Sequence, residues 1–362
     1  MLYWLLVPLR KYLFFFNVFR YITVRTALGG LTALLLVFIF IPVFIKLLKK
    51  HQVGQEIRDE GPSAHLAKKG TPSMGGLVII GATLISTLLW GNLSNIYVWL
   101  GIAGLCLFGL IGFIDDFIKF RARRSLGLNT RQKLILQIAV SGLIALALVL
   151  IGFKGKFDLH LTFPFVKEWT LYLGWLYLPW ILFILVGSSN AVNLADGLDG
   201  LAIGLTLISA AALTALTYVA GHAIWSQYLS ILRVPLAAEL TVFAGALAGA
   251  CLGFLWFNCH PAEIFMGDVG ALSLGGTLGL LAILIKQEFL LLFVAGVFIL
   301  EALSVLLQVT YFKFSHGRRM FRMAPLHHHF ELIGWPEEKV VIRFWIMGII
   351  FALFSLATLK LR

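Results

Sequence analysis

Ten stretches of almost uninterrupted apolar sequence divide this chain, near residues 27–48, 73–90, 96–118, 133–152, 171–189, 199–220, 237–257, 268–286, 289–312 and 340–359. A helix needs roughly 20 such residues to cross the hydrocarbon layer of a bilayer, where its backbone must satisfy its own hydrogen bonds. A chain of 362 residues that is 60% hydrophobic and only 13% charged belongs with polytopic membrane proteins, not water-soluble domains. Interspersed Gly, Ser and Thr suit close helix packing, and ten-residue segments of alternating polarity, the mark of a membrane β-barrel, are absent. The expected fold is all-α: about ten transmembrane helices forming one domain over residues 1–362. Residues 1–25 mix aromatics with Arg10, Lys11, Arg20 and Arg25 and lack the charge order of a cleavable signal, so they are expected to lie along the interface. Cys106, Cys251 and Cys259 have no disulfide or metal spacing.

With ten spans, the loops fall into two sets. Eighteen of the 29 basic residues, among them Lys46, Lys49, Lys50, Lys68, Lys69, Lys119, Arg121, Arg131, Lys133, Arg318, Arg319 and Arg343, belong to the set after the odd-numbered spans. The excess of Lys and Arg on cytoplasmic loops assigns that set to the cytoplasm. The net charge of +12 thereby reads as a topology signal, and no nucleic-acid partner is expected. The polar clusters follow the same division, which puts the expected active site at the cytoplasmic face.

Asp115 and Asp116 close the third span. Adjacent carboxylates at a membrane surface repel unless a cation holds them, and a hard divalent ion such as Mg²⁺ suits carboxylate and phosphate oxygens. After span five comes Asn190-Ala191-Val192-Asn193-Leu194-Ala195-Asp196-Gly197-Leu198-Asp199-Gly200. Helix capping requires one Asn or Asp; four amide or carboxylate groups point to a polar binding site. Asp196 and Asp199 share a face if the turn between them is helical. Asn258 and Pro261-Ala262-Glu263-Ile264-Phe265-Met266-Gly267-Asp268 precede span eight, where Asp268 opens a helix whose free N–H groups favour phosphate. Phe265 can stack on a flat base. His327-His328-His329 cannot all face one ion on regular structure, so phosphate contact or loop structure is the better reading. Lys68 and Ser73 precede span two, and Gln308 lies near the cytoplasmic end of span nine, on one face with Glu301 and Ser304.

Taken together, Asp-Asp after span three, Asn-x-x-Asp-Gly-Leu-Asp-Gly, Phe-Met-Gly-Asp-Val-Gly and Ala-Pro-Leu-His-His-His-Phe-Glu closely resemble the phospho-N-acetylmuramoyl-pentapeptide-transferase family of the polyprenyl-phosphate sugar-1-phosphate transferases. The resemblance runs from Arg58-Asp59-Glu60-Gly61-Pro62 to Arg343-Phe344-Trp345; Ala195 and Ser73 stand where relatives often carry Thr. It implies transfer of phospho-N-acetylmuramoyl-pentapeptide from UDP-N-acetylmuramoyl-pentapeptide to undecaprenyl phosphate, with lipid I and UMP as products, in the bacterial cytoplasmic membrane and with Mg²⁺. It implies that Asp268 is the leading Mg²⁺ ligand and that Asp115 or Asp116 deprotonates or orients the lipid phosphate, as a further ligand of the metal. By the same resemblance Asn193, Asp196, Asp199, Asn258 and Phe265 contact nucleotide or sugar, with Lys68, Ser73, Asn190, Gln308, His327, His328 and His329 around them. Oligomeric state stays open, a homodimer among the options. The nearest rival is a transferase of another N-acetylhexosamine 1-phosphate; an ion-coupled transporter would instead carry its polar residues near the bilayer midplane.

Overall fold

The structure, a computed structural model, describes residues 1–50, 70–122, 127–163, 166 and 169–360. Its helices are α1 (Leu2–Leu9), α2 (Ile22–Lys50), α3 (Gly76–Trp90), α4 (Ile96–Ala122), α5 (Thr130–Phe153), α6 (Tyr177–Ala195), α7 (Leu201–Gly221), α8 (Ala223–Leu229), α9 (Ala237–Asn258), α10 (Gly267–Leu284), α11 (Leu291–Val294), α12 (Gly296–Phe314), α13 (Leu326–Leu332) and α14 (Glu337–Thr358), with 3₁₀ turns at Phe14–Arg20 and Gly174–Leu176. Among the described residues nine helical segments are long and apolar enough to cross a membrane: α2, α4, α5, Gly174–Ala195 with α6, α7, α9, α10, α12 and α14. The remaining apolar run, 73–90, forms α3, whose fifteen residues reach only about 22 Å. The chain is therefore an all-α polytopic membrane protein.

Two runs depart from the reading of the sequence. The run at 171–189 does not begin as a helix. Thr170–Tyr172 (β2) pairs antiparallel with His160–Thr162 (β1), Leu161 opposite Leu171, and α6 starts only at Tyr177 and continues past the run to Ala195. Asp158 Oδ1 accepts the His160 N–H at 2.9 Å, and Gly174, at φ +49°, turns the chain out of the hairpin. A short apolar stretch fits strand and buried helix equally, so periodicity could not separate them. The run at 289–312 is interrupted at Ala295, which divides α11 from α12.

Helix α10 is the axis of the bundle: every side chain from Val269 to Leu284 is buried. It packs on α4 and α6 along its length and touches α3 and α7. Gly275 faces the Ser188–Ser189 backbone and Gly276 the Phe108 ring, so the axes approach closely, as small residues permit inside a membrane bundle. At the start of α9 a buried Arg25 grips Glu239 through two 2.7 Å contacts and donates to the Trp90 carbonyl at 3.2 Å, tying α2, α3 and α9. The N-terminus of α10 lies between the ends of α4 and α6, where Gly112 meets the Asp268 carbonyl and Asn193 donates to Asp268.

Candidate active site

Asp115 and Asp116 occupy the last turns of α4 and are almost fully buried, 2% and 6% exposed. Asp268 sits in the first turn of α10. One ligand oxygen from each of the three lies within 4.8 Å of the others. The approach depends on Gly267, which holds φ +70° and has no side chain to collide with the Asp116 carboxylate; a Cβ there would also stand 3.0 Å from Ser73 Oγ. Asp116 Oδ2 accepts the Val269 N–H at 3.1 Å, using one of the unpaired donors that open α10. Asp115 Oδ1 accepts the Leu128 N–H at 2.8 Å.

Two ammonium groups enter the carboxylate cluster. Lys119 Nζ is 2.6 Å from Asp115 Oδ2 and 3.3 Å from Asp116 Oδ1, and also pairs with Asp268 Oδ2. Lys133, from the first turns of α5, reaches Asp268 Oδ1 at 3.1 Å, and Asn193 of α6 donates its amide N–H to that same oxygen. Asp196, at the C-terminal end of α6, stands close enough to feel this charge. Burial first, then Asp268, Asp116 and Asp199, push its carboxyl up to about 8, against the opposing pull of Lys119. Three acids, with the carboxyl of Asp196 nearby, thus face two lysines.

Residues 98–286 match the profile of glycosyl transferase family 4, and residues 68–80 match signature 1 of phospho-N-acetylmuramoyl-pentapeptide-transferase. The chain is 53% identical to the phospho-N-acetylmuramoyl-pentapeptide-transferase of Thermodesulfovibrio yellowstonii over 362 residues, covering all of both chains. The proteins of the same name from Koribacter versatilis and Desulfatibacillum aliphaticivorans are 52% and 53% identical, again over the full length of each. The chain belongs to the phospho-N-acetylmuramoyl-pentapeptide-transferase family.

Within this member of the family the other expected site residues fall into two groups. Asn193, Asp196 and Ser73 border the aspartate cluster. Asn190 donates to Gln137 Oε1 at 2.9 Å and to the Val186 carbonyl at 2.8 Å, one helical turn deeper. The turn between Asp196 and Asp199 is not helical. Asp199, 4% exposed, directs Oδ2 to His260 Nδ1 and to the Ala262 N–H, both at 3.1 Å. Asn258 is buried alongside, accepting the Gly200 N–H at 3.2 Å and donating to the Ile264 carbonyl at 2.8 Å. These two residues join the loop at 196–200 to the loop at 259–266. Phe265, half-buried, belongs to the second loop, which the Phe265 N–H fastens to the Pro72 carbonyl at 2.8 Å.

The C-terminal cluster packs against the loop at 196–200. His327 is fully buried; its backbone N–H donates to Glu301 Oε1 at 3.2 Å, and its ring sits where a side chain on Gly197 would be. His328 pairs with Glu331 at 2.8 Å, and His329 Nδ1 accepts the Arg322 N–H at 3.2 Å. Gln308 Oε1 accepts the N–H groups of Met320 and Phe321 at 3.1 and 2.9 Å, so its side-chain oxygen closes the loop ahead of α13. Lys68 lies outside the described residues. In the sequence, Lys119 and Lys133 carry a topology signal. Lys119 follows Asp115 and Asp116 by four and three positions on one helix, a local signal that marks it as their partner. Lys133 carries no such signal, because only the packing of α5 brings it to Asp268.

Proposed function

We propose that this site transfers phospho-N-acetylmuramoyl-pentapeptide from UDP-N-acetylmuramoyl-pentapeptide to undecaprenyl phosphate, at the cytoplasmic face of a bacterial inner membrane. An oxygen of the lipid phosphate forms a bond to the sugar-linked phosphorus, the diphosphate bridge breaks, and UMP leaves with the bonding electrons; the lipid product is lipid I. The observation that carries the reading is the junction of Asp115, Asp116 and Asp268 with Lys119 and Lys133 at the N-terminus of α10. Phosphoryl transfer asks a protein mainly to position the reactants and balance charge, and these groups suit that work.

The donor set also fits Mg²⁺. Three hard carboxylate oxygens converge within 4.8 Å, and the three acids outnumber their two lysines. Asp268, Asp115 and Asp116 would hold the ion, with Asp268 foremost. When bound, Mg²⁺ supplies charge neutralisation to the phosphate oxygens. The chain itself supplies the rest. Lys119 and Lys133 meet anionic phosphate oxygens, and the first N–H groups of α10 favour negative charge at the same end. Asp115 and Asp116 orient the lipid phosphate, whose second pKa of about 6 leaves it mostly dianionic at neutral pH, so a separate general base is not demanded. Asn193 fixes Asp268, while Phe265 lies on the loop that faces the nucleotide. All these residues come from one chain, so a pairing of two copies would leave each site whole.

Asp268→Asn, Asp115→Asn and Asp116→Asn test the reading. Each is expected to lower UMP release by at least about a hundredfold while thermal unfolding stays within a few degrees of wild type. Near-normal turnover in all three folded variants would overturn it.

A further inference from the structure

Gln137 has no part in the transfer chemistry above, yet it is 1% exposed on α5, a helix that turns Ile135, Ile138, Leu143 and Leu146 outward. Its amide uses both ends on α6. Oε1 accepts the Asn190 amide N–H at 2.9 Å, and Nε2 donates to Ser189 Oγ at 3.3 Å. Among the described residues these are the side-chain hydrogen bonds that join α5 to α6. The rest of the buried stripe of α5 is Ser141, Ile144, Ala145, Leu148 and Val149. In a bilayer the hydrophobic effect does not choose between one helix fit and another, which leaves packing and interhelical hydrogen bonds to set it. Helix α6 is itself seated on α10, where Gly275 faces the Ser188–Ser189 backbone. The Gln137 amide thus hangs α5 on a helix that is already placed.

Lys133 stands four residues before Gln137 on α5, and Asn193 three residues after Asn190 on α6, so each pair shares a helix face one turn apart. Lys133 and Asn193 both end on Asp268 Oδ1. We propose that Gln137 is a positioning residue: its bonds to Asn190 and Ser189 set α5 against α6 so that Lys133 and Asn193 meet the same oxygen of Asp268. Loss of Gln137 strands neither partner, because Asn190 Nδ2 and Ser189 Oγ also donate to the Val186 carbonyl within α6, at 2.8 and 3.1 Å. What disappears is the link between the helices. Lys133 feels the loss most, since it rides on α5 while Asn193 stays on α6. Asn190 then serves the fit of two helices, not the nucleotide or sugar. The expected rate effects rest on the transferase reading; the exchange effect does not.

Gln137→Met keeps the volume and loses both bonds; Asn190→Leu cuts the stronger bond from the other helix. These two, their double variant and Ser141→Ala are compared in the full chain reconstituted in nanodiscs. Ser141 lies one turn deeper on the same face, its Oγ buried with no hydrogen-bond partner among the described residues, so it controls for a general loosening of α5. Backbone hydrogen exchange over residues 130–138 should speed up by roughly 3- to 10-fold in Gln137→Met and stay within about twofold of wild type in Ser141→Ala. kcat for UMP release should fall by roughly 5- to 30-fold in Gln137→Met, while KM for UDP-N-acetylmuramoyl-pentapeptide stays within about threefold. The double variant should lose no more than about twofold beyond the worse single variant, because both substitutions cut one tie. Unchanged exchange or near-normal kcat in Gln137→Met, an equal loss in Ser141→Ala, or single losses that multiply in the double variant would each overturn the inference. If Gln137→Met did not fold, the same exchange and kcat changes in Asn190→Leu would decide it. A wild-type protein that released no UMP would refute the transferase reading and leave the exchange result to decide the role of Gln137.

Discussion

Gly112 carries the sharpest consequence of the helix packing. It lies three and four positions before Asp115 and Asp116, on the face of α4 that meets α10. A Cβ at Gly112 would stand 2.5 Å from Val269 Cα and collide with the Asp268 carbonyl. Carbon atoms in contact settle at about 3.5–4.0 Å, so alanine forces the two backbones apart by about 1 Å. No side-chain tip can yield, because both obstacles are main chain. Overpacking of this kind costs about 1–3 kcal/mol of stability. The larger effect is on rate: a displacement of about 1 Å between groups that must act together costs on the order of 10²-fold. Gly112→Ala is therefore expected to lower kcat for UMP release by about a hundredfold, with a modest drop in apparent Tm. Gly142→Ala is the matched control, because nothing lies within 4 Å of a Cβ there and alanine favours the helix by up to about 1 kcal/mol. A Gly112→Ala protein with kcat within about threefold of wild type would refute the claim that α4 and α10 bring the three aspartates together by backbone contact.

Other consequences reach different parts of the molecule. Arg25→Ala strands Glu239, which keeps the Asn92 N–H at 3.2 Å but loses both guanidinium contacts. Glu239 is slightly open to solvent, so the cost is set near the low end of the buried-pair range, about 3 kcal/mol, and differential scanning fluorimetry should show an apparent Tm lower by several degrees. Asp196 holds its proton to about pH 8 in the folded chain but only to about 4 when unfolded, so folding takes up a proton between those values. Its contribution to stability is full below about pH 4, declines through the window to pH 8 and is flat above; in metal-free protein Asp196→Asn should flatten the fall of Tm with pH across that range, and an unchanged slope would contradict the assignment. Cys259 is exposed beside the site, whereas Cys251 is buried. A membrane-impermeant maleimide should label Cys259 in inverted inner-membrane vesicles and not in spheroplasts, and the reverse pattern would contradict a cytoplasmic site.

The sequence showed the bundle because each span carries its own signal: twenty apolar residues in a row need no partner to be recognised. It showed Asp115, Asp116 and Asp268 for a related reason, since charge at the end of such a run is costly wherever it falls. Lys119 was legible in principle, because its spacing from the aspartate pair is helical. Lys133 was not, being tied to Asp268 only by the way α5 crosses the bundle. The same limit explains Asp199 and Asn258, whose side chains could face a ligand or another loop with no change of sequence; in the folded chain they hold Ala262, Gly200 and Ile264. The consecutive histidines could be seen to diverge, but the burial of His327 against Glu301 depends on the return of the loop after α12. The β-hairpin was missed because Thr170–Tyr172 is apolar enough to extend a span and too short to show an alternation of its own.

Substrate choice distinguishes transfer of phospho-N-acetylmuramoyl-pentapeptide from transfer of any other sugar phosphate. Purified protein with undecaprenyl phosphate and Mg²⁺ should release UMP from UDP-N-acetylmuramoyl-pentapeptide and not from UDP-N-acetylglucosamine. Release from the second alone, in a preparation shown to be folded, would contradict the account and assign the chain to another sugar branch of the superfamily.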